Sequence, residues 1–167
     1  MPSAENERMS EPSWSWTSRI ELPSRKGAHL THLEEILQEL ERLGWDGRDY
    51  FAIEMALEES LSNAIRHGNK CDESKQVLVE CKASPEQFWL RVTDQGNGFK
   101  PHSVPDCTAD ENLECPGGRG LALIQAYMTR VEYNSCGNCV TMEKARAASG
   151  SSTPACRSCE PGDSAPK

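Results

Sequence analysis

Glu59-Ser-Leu-Ser-Asn63-Ala-Ile-Arg66-His67-Gly68 is the stretch on which the fold of this chain turns. Ile53, Ala56, Leu57, Leu61, Ala64 and Ile65 recur at helical spacing through it. They predict the buried face of a helix N-capped by Asp46, with Phe51 and Glu54 in its early turns and Gly68 at its close. Glu59, Asn63, Arg66 and His67 stand at i, i+4, i+7 and i+8 and so share the opposite face. A carboxylate there can take a proton from a hydroxyl or water. An amide oxygen one turn away suits a hard cation such as Mg²⁺ held mainly by phosphate oxygens. Arg66 and His67 can face phosphates from the next turn. Taken alone, the same four residues describe a solvated polar face.

Two further motifs follow in order. Val77, Val79 and Cys81 alternate with polar neighbours, and after Ser84-Pro85-Glu86 so do Phe88, Leu90 and Val92. This is the pattern of an antiparallel hairpin that runs directly into Asp94-Gln-Gly96-Asn-Gly98-Phe99. Gly96 and Gly98 permit positive φ and close backbone approach, and an acceptor at Asp94 can take the exocyclic amine of adenine. Gly117-Gly118-Arg119-Gly120 then precedes a helix carrying Leu121, Leu123, Ile124, Tyr127 and Met128, which offers N–H groups and a positive dipole end to phosphate. Each motif alone is weak, since Asp-X-Gly-X-Gly is usually a plain turn. In sequence within one small α/β pattern they are the parts that hold a magnesium nucleotide. The stretch from Lys100 to Pro116 has little periodicity and acids at 106, 110, 111 and 114, and is expected to be a loop able to close over that nucleotide. A last hairpin, Val131 to Ser135 and Cys139 to Lys144, surrounds Cys136-Gly137-Asn138.

Upstream, Trp14, Trp16, Ser18 and Ile20 alternate as an edge strand that Pro23 ends. Leu30, Leu33, Ile36, Leu37, Leu40 and Leu43 form one apolar stripe, expected as a helix of about five turns closed by Gly44. Residues 1–13 and the Ala/Ser/Gly/Pro-rich 145–167 are expected to be disordered, which leaves 14–144 as one domain. A net charge of −8 over 167 residues argues against a nucleic-acid surface. No apolar run reaches the roughly 20 residues of a membrane helix, and the start lacks the apolar segment of a signal peptide. A soluble, cytoplasmic protein is the expectation.

Eight cysteines are present. In a reducing compartment free thiols are expected. Cys136-X-X-Cys139 and Cys156-X-X-Cys159, sixteen residues apart, have the spacing of a four-thiolate zinc site, which is the less favoured reading; redox sensing is another.

These residues resemble a known family. Glu59 to Gly68 is similar to the N-box, Asp94 to Gly98 to the first glycine box, and Gly118 to Gly120 to the second glycine box of the histidine-kinase-like ATPases. Ala109 to Leu121 and the closing Gly137-Asn138-Cys-Val-Thr-Met142 are similar to the bacterial anti-sigma-factor serine kinases, the RsbW-like group. The resemblance covers about Trp14 to Lys144. It implies an α+β, two-layer sandwich with a mixed, mainly antiparallel sheet, helices on one face and an ATP lid. It further implies Glu59 as general base, Asn63 as the Mg²⁺ ligand, Asp94 as the adenine contact and Gly96 and Gly98 beneath the base. Gly118, Arg119 and Gly120 would form the phosphate side of the lid, with Arg66, Arg119 and Mg²⁺ meeting phosphate charge and His67 beside it. Asn138 stands where many members have a Thr that binds adenine through water, and can both accept and donate. The implied function is ATP-dependent phosphorylation of a STAS-type anti-sigma antagonist, with a sigma factor as second partner and a possible homodimer. The same motifs also serve a nucleotide-loaded module that sequesters a regulator without significant chemistry. His29 and His32 lack the basic residue and proline that follow the histidine of a phosphoacceptor helix, and are expected at the surface.

Overall fold

The computed structural model describes residues 13–98 and 118–147. The expected lid loop, most of both expected tails, and Cys156 and Cys159 lie outside the described residues.

Among the described residues five strands form one sheet: β1 (Trp16–Pro23), β2 (Gln76–Ala83), β3 (Gln87–Thr93), β4 (Arg130–Tyr133) and β5 (Cys139–Ala145). Their order is β1-β2-β3-β5-β4, and every pairing among the described residues is antiparallel. The alternation seen in the sequence sets the register. Val79 faces Val92, Cys81 faces Leu90, and Leu90 in turn faces Met142, so one face is continuously apolar and buried. The opposite face is polar: Glu80 lies 3.8 Å from Arg19 and 4.0 Å from Arg91, and Lys82 and Arg91 sit 5.0 and 5.1 Å from the Trp89 ring.

The helices α1 (Leu30–Arg42), α2 (Gly47–Asn63) and α3 (Gly118–Tyr127) contribute to the same core as the apolar sheet face. Ile36 and Leu40 of α1 and Ile53, Leu57 and Leu61 of α2 are fully enclosed there with Val77, Phe88 and Leu90. Each such side chain contributes about 1.5–3 kcal/mol relative to exposure.

Several expectations change at the ends of elements. α1 has 13 residues rather than five turns, and Leu30, assigned to its apolar stripe, is exposed. The helix stops in a Schellman motif: Gly44 has φ +83°, its N–H donates to Glu41 O at 2.9 Å, and Trp45 N–H donates to Leu40 O at 2.9 Å. His29 and His32 are buried rather than at the surface, because the start of α1 is packed into the protein. His29 Nε2 bonds the Glu58 carboxylate of α2 at 3.2 Å, and His32 Nδ1 bonds Glu35 at 3.0 Å. Asp46 occupies the N-cap position with extended backbone, but its side chain makes no capping bond. Its carboxylate lies 3.9 Å from Arg146 instead.

The described elements continue past Lys144. Ala145 belongs to β5, and Arg146 and Ala147 strap the strand end to the start of α2. Ala147 N–H donates to Asp49 at 2.8 Å, Arg146 N–H donates to Glu86 O at 2.8 Å, and the Arg146 guanidinium bonds Gly44 O and stacks 5.6 Å from Trp45. Among the described residues no helix is long and apolar enough to cross a membrane.

Candidate nucleotide site

The site is built at the C-terminal end of α2. The helix passes directly into a single π turn, Ala64–Gly68, closed by Asn69 N–H donating to Ala64 O at 2.8 Å. This wider turn breaks the helical phase on which the four-residue polar face was drawn. Asn63 and His67 line the cavity beside it, whereas Arg66 is exposed and outside its wall.

The cavity encloses about 300 Å³. Val92 of β3, Val140 of β5 and Ile124 of α3 give it apolar walls, and Asp94, Asn138, Tyr133 and Ser60 supply the polar groups. Asp94 follows β3 directly. Its backbone N–H donates to Asn138 O at 2.9 Å and its carbonyl accepts Asn138 Nδ2–H at 3.2 Å, so the two motifs are locked together at the sheet end. Gly96 N–H donates to Asp94 Oδ1 at 2.8 Å, which orients the carboxylate and leaves Oδ2 for a ligand. Burial pushes the Asp94 carboxyl up from its ordinary value, only partly opposed by the Gly96 N–H and by Lys75.

Glycine is a steric necessity at Gly68 and Gly98, among other places. A Cβ on Gly68 would occupy the Asp94 carboxylate, and one on Gly98, at φ +69°, would strike the Cys136 carbonyl. Gly118, Arg119 and Gly120 form the first turn of α3 itself rather than a loop ahead of it. A Cβ on Gly120 would collide with the Glu59 carboxylate, so α3 starts hard against that group.

Glu59 stands one hydrogen bond behind the cavity wall, its Oε1 accepting Asn63 Nδ2–H at 2.8 Å. With Nδ2 committed to Glu59, the Asn63 amide keeps its oxygen for another partner. Burial and then the Glu59 charge push the Tyr133 phenol up to about 12.

The structure thus brings Asn63, His67, Gly98, Asp94 and Asn138 to one cavity, with Glu59 and Gly96 each one bond behind it. Ser60, Ile124, Tyr133 and Cys139 also line it and were not singled out as site residues. Ser60 lies between Glu59 and Asn63, and Tyr133 and Cys139 flank the Gly137-Asn138 motif, so proximity in the chain was the available signal. Cys136 is exposed and Cys139 half-buried, and no cluster of three or more His, Cys, Asp or Glu side chains suited to a metal occurs among the described residues.

The family model of the histidine kinase-like ATPase domain matches residues 22–144. An anti-sigma F factor of Clostridium perfringens is 33% identical over 86 residues, a match covering 50% of this chain and 61% of that protein. The serine-protein kinase RsbW of Bacillus licheniformis is 30% identical over 113 residues, covering 62% of this chain and 69% of the relative. RsbW of Listeria monocytogenes is 32% identical over 108 residues, covering 59% and 69%. The crystal structure of the RsbU and RsbW domains of a Mycobacterium tuberculosis protein aligns with 78% of this chain and 32% of its own at a TM-score of 0.50 and 19% identity, a likeness of fold. Membership implies ATP binding. The chain belongs to the histidine kinase-like ATPase family, within which it is similar to the RsbW-like members.

Proposed function

We propose that the protein is an ATP-dependent serine/threonine kinase that acts as a cytoplasmic switch on sigma-factor regulation, phosphorylating a STAS-type antagonist and holding a sigma factor as its second partner. The observation that carries this reading is the Glu59–Asn63 pair, hydrogen-bonded at 2.8 Å, set against the cavity that Asp94 also lines.

The residues fit the substrate. An apolar slot between Val92, Ile124 and Val140 suits a flat base, and Asp94 Oδ2 is an acceptor for the amine of adenine. The Asn63 oxygen would hold a magnesium ion together with phosphate oxygens of the nucleotide. When bound, Mg²⁺ neutralises charge on the transferred phosphoryl group. His67 in the wall and Arg119 meet the remaining phosphate charge; Gly118 and Gly120 let the α3 N-terminus approach. Glu59 takes the proton of the acceptor hydroxyl as the serine oxygen bonds the γ-phosphorus and the bond to the β–γ bridging oxygen breaks, releasing ADP.

The test is transfer of labelled phosphate to a co-encoded STAS protein. Glu59→Gln keeps the shape and the bond to Asn63 but cannot accept a proton, so transfer should fall about 10²- to 10⁴-fold with ATP binding retained. Transfer at the wild-type rate would discard Glu59 as the base. One observation favours the alternative of a nucleotide-loaded binding module that sequesters its partner: Glu59 lies behind the cavity wall and against Gly120. Wild-type protein that binds ATP and partner yet transfers nothing would establish that alternative.

A further inference from the structure

Asn69 makes more buried side-chain hydrogen bonds than any role in the helix would require. It is fully enclosed. Its Oδ1 accepts the Gln95 backbone N–H at 2.7 Å, and its Nδ2 donates to Ser24 Oγ at 2.6 Å and to Gln76 O at 2.9 Å. Gln76 N–H in turn donates to Gln95 Oε1 at 2.8 Å. One amide therefore joins the ends of β1 and β2 to the residue that follows Asp94.

Its own position is fixed from the other side. Asn69 N–H closes the π turn on Ala64 O, so the amide is a rigid extension of the helix that carries Glu59 and Asn63. The Gly96 backbone is packed against the Gly68 carbonyl so closely that a Cβ on Gly96 would strike it. The loop bearing Asp94 is thus seated on the π turn, and Asn69 is the side chain that holds it there.

We infer that Asn69 is a positioning residue for base specificity, coupling the α2 end to the carboxylate that reads the base; the inference rests on the nucleotide reading of this cavity. Oδ2 of Asp94 discriminates only if its direction is fixed. Adenine presents an amine donor at the edge where guanine presents a carbonyl, and a carboxylate held in place rewards the first and repels the second. Released from Asn69, the Gln95 N–H loses its acceptor and the loop can turn, so that the penalty against guanine falls.

Calorimetry with Mg-ATP and Mg-GTP tests this. Asn69→Ala should lower the ratio of GTP to ATP dissociation constants at least tenfold. On an Asp94→Asn background the same change should have little further effect on that ratio, because both act through one carboxylate. Ser24→Ala, which removes one of the two Nδ2 acceptors, should lower the ratio in the same direction by about two- to threefold and keeps the test decisive if Asn69→Ala does not fold. A lowered melting temperature with an unchanged ratio in the variants that fold would make Asn69 purely structural and overturn the inference. Wild-type protein that binds neither nucleotide would overturn the nucleotide reading itself, a result distinct from equal loss of both affinities in the variant.

Discussion

At the scale of single residues, Glu59 sets its neighbourhood. It takes the amide hydrogen of Asn63, raises the Tyr133 phenol and leaves no space for a side chain at position 120. The Tyr133 effect has a defined sign. Its folded value, pushed up to about 12, exceeds the ordinary value near 10, so the stability it lends is present below about pH 10 and is lost as pH rises through 12. Glu59→Gln removes the charge that adds to burial, and Tyr133 should then ionise at lower pH; phenolate absorbance, differenced against Tyr133→Phe, reports it. Gly120→Ala separates stability from function. Alanine gains at most about 1 kcal/mol of helix propensity, and displacing the flexible Glu59 carboxylate from Asn63 forfeits a charged hydrogen bond of about 1.5–3 kcal/mol. Folding stability should therefore fall by no more than about 3 kcal/mol while phosphotransfer drops at least tenfold. A variant as active as wild type would show that the Glu59–Asn63 contact is dispensable.

Among the elements, the π turn and the strap after β5 are the two that sequence periodicity did not reveal. Helical spacing carried through Ala64 and Ile65 correctly as buried positions, but the phase of Arg66 depends on a backbone bond to Asn69 that no side-chain pattern encodes. The strap is equally hidden, because Ala145-Arg-Ala147 reads as the start of a low-complexity tail. Removing 148–167 should leave the melting temperature nearly unchanged. Removing 145–167 should cost on the order of 2–3 kcal/mol, from lost hydrogen bonds and the Arg146–Trp45 stack, measured by denaturant midpoint. Asp49 supplies the pH dependence of this element. Burial raises its carboxyl, but the Ala147 N–H and Lys144, whose ammonium lies 3.1 Å away, outweigh burial and hold it below its ordinary value. That stabilisation is present above about pH 4 and is lost as pH falls through the lowered folded value. Asp49→Asn should flatten the acid limb of stability against pH; an unchanged limb would assign it to other groups.

For the whole molecule, a ligand that binds only the folded state must raise stability by mass action. Mg-ATP at 100 times its dissociation constant should add about 2.7 kcal/mol, a shift of several degrees in a domain of this size, read by thermal unfolding. No shift at millimolar nucleotide would remove the ATP-binding premise. The sequence by itself determined the strands and the helices and singled out Glu59, Asn63 and Asp94 as candidate site residues. Alternation and helical spacing are local consequences of which face is buried, and the motifs sit at element ends where loops converge. It could not determine that the two histidines of α1 are buried, that Arg66 turns outward, or that Asn69 joins three segments, because each depends on what packs against it from elsewhere in the chain. His29 meets Glu58 across 29 residues and Asn69 meets Ser24 across 45. Contacts over such separations are fixed by the assembled sheet and the helices packed on it, so only the tertiary structure decided them.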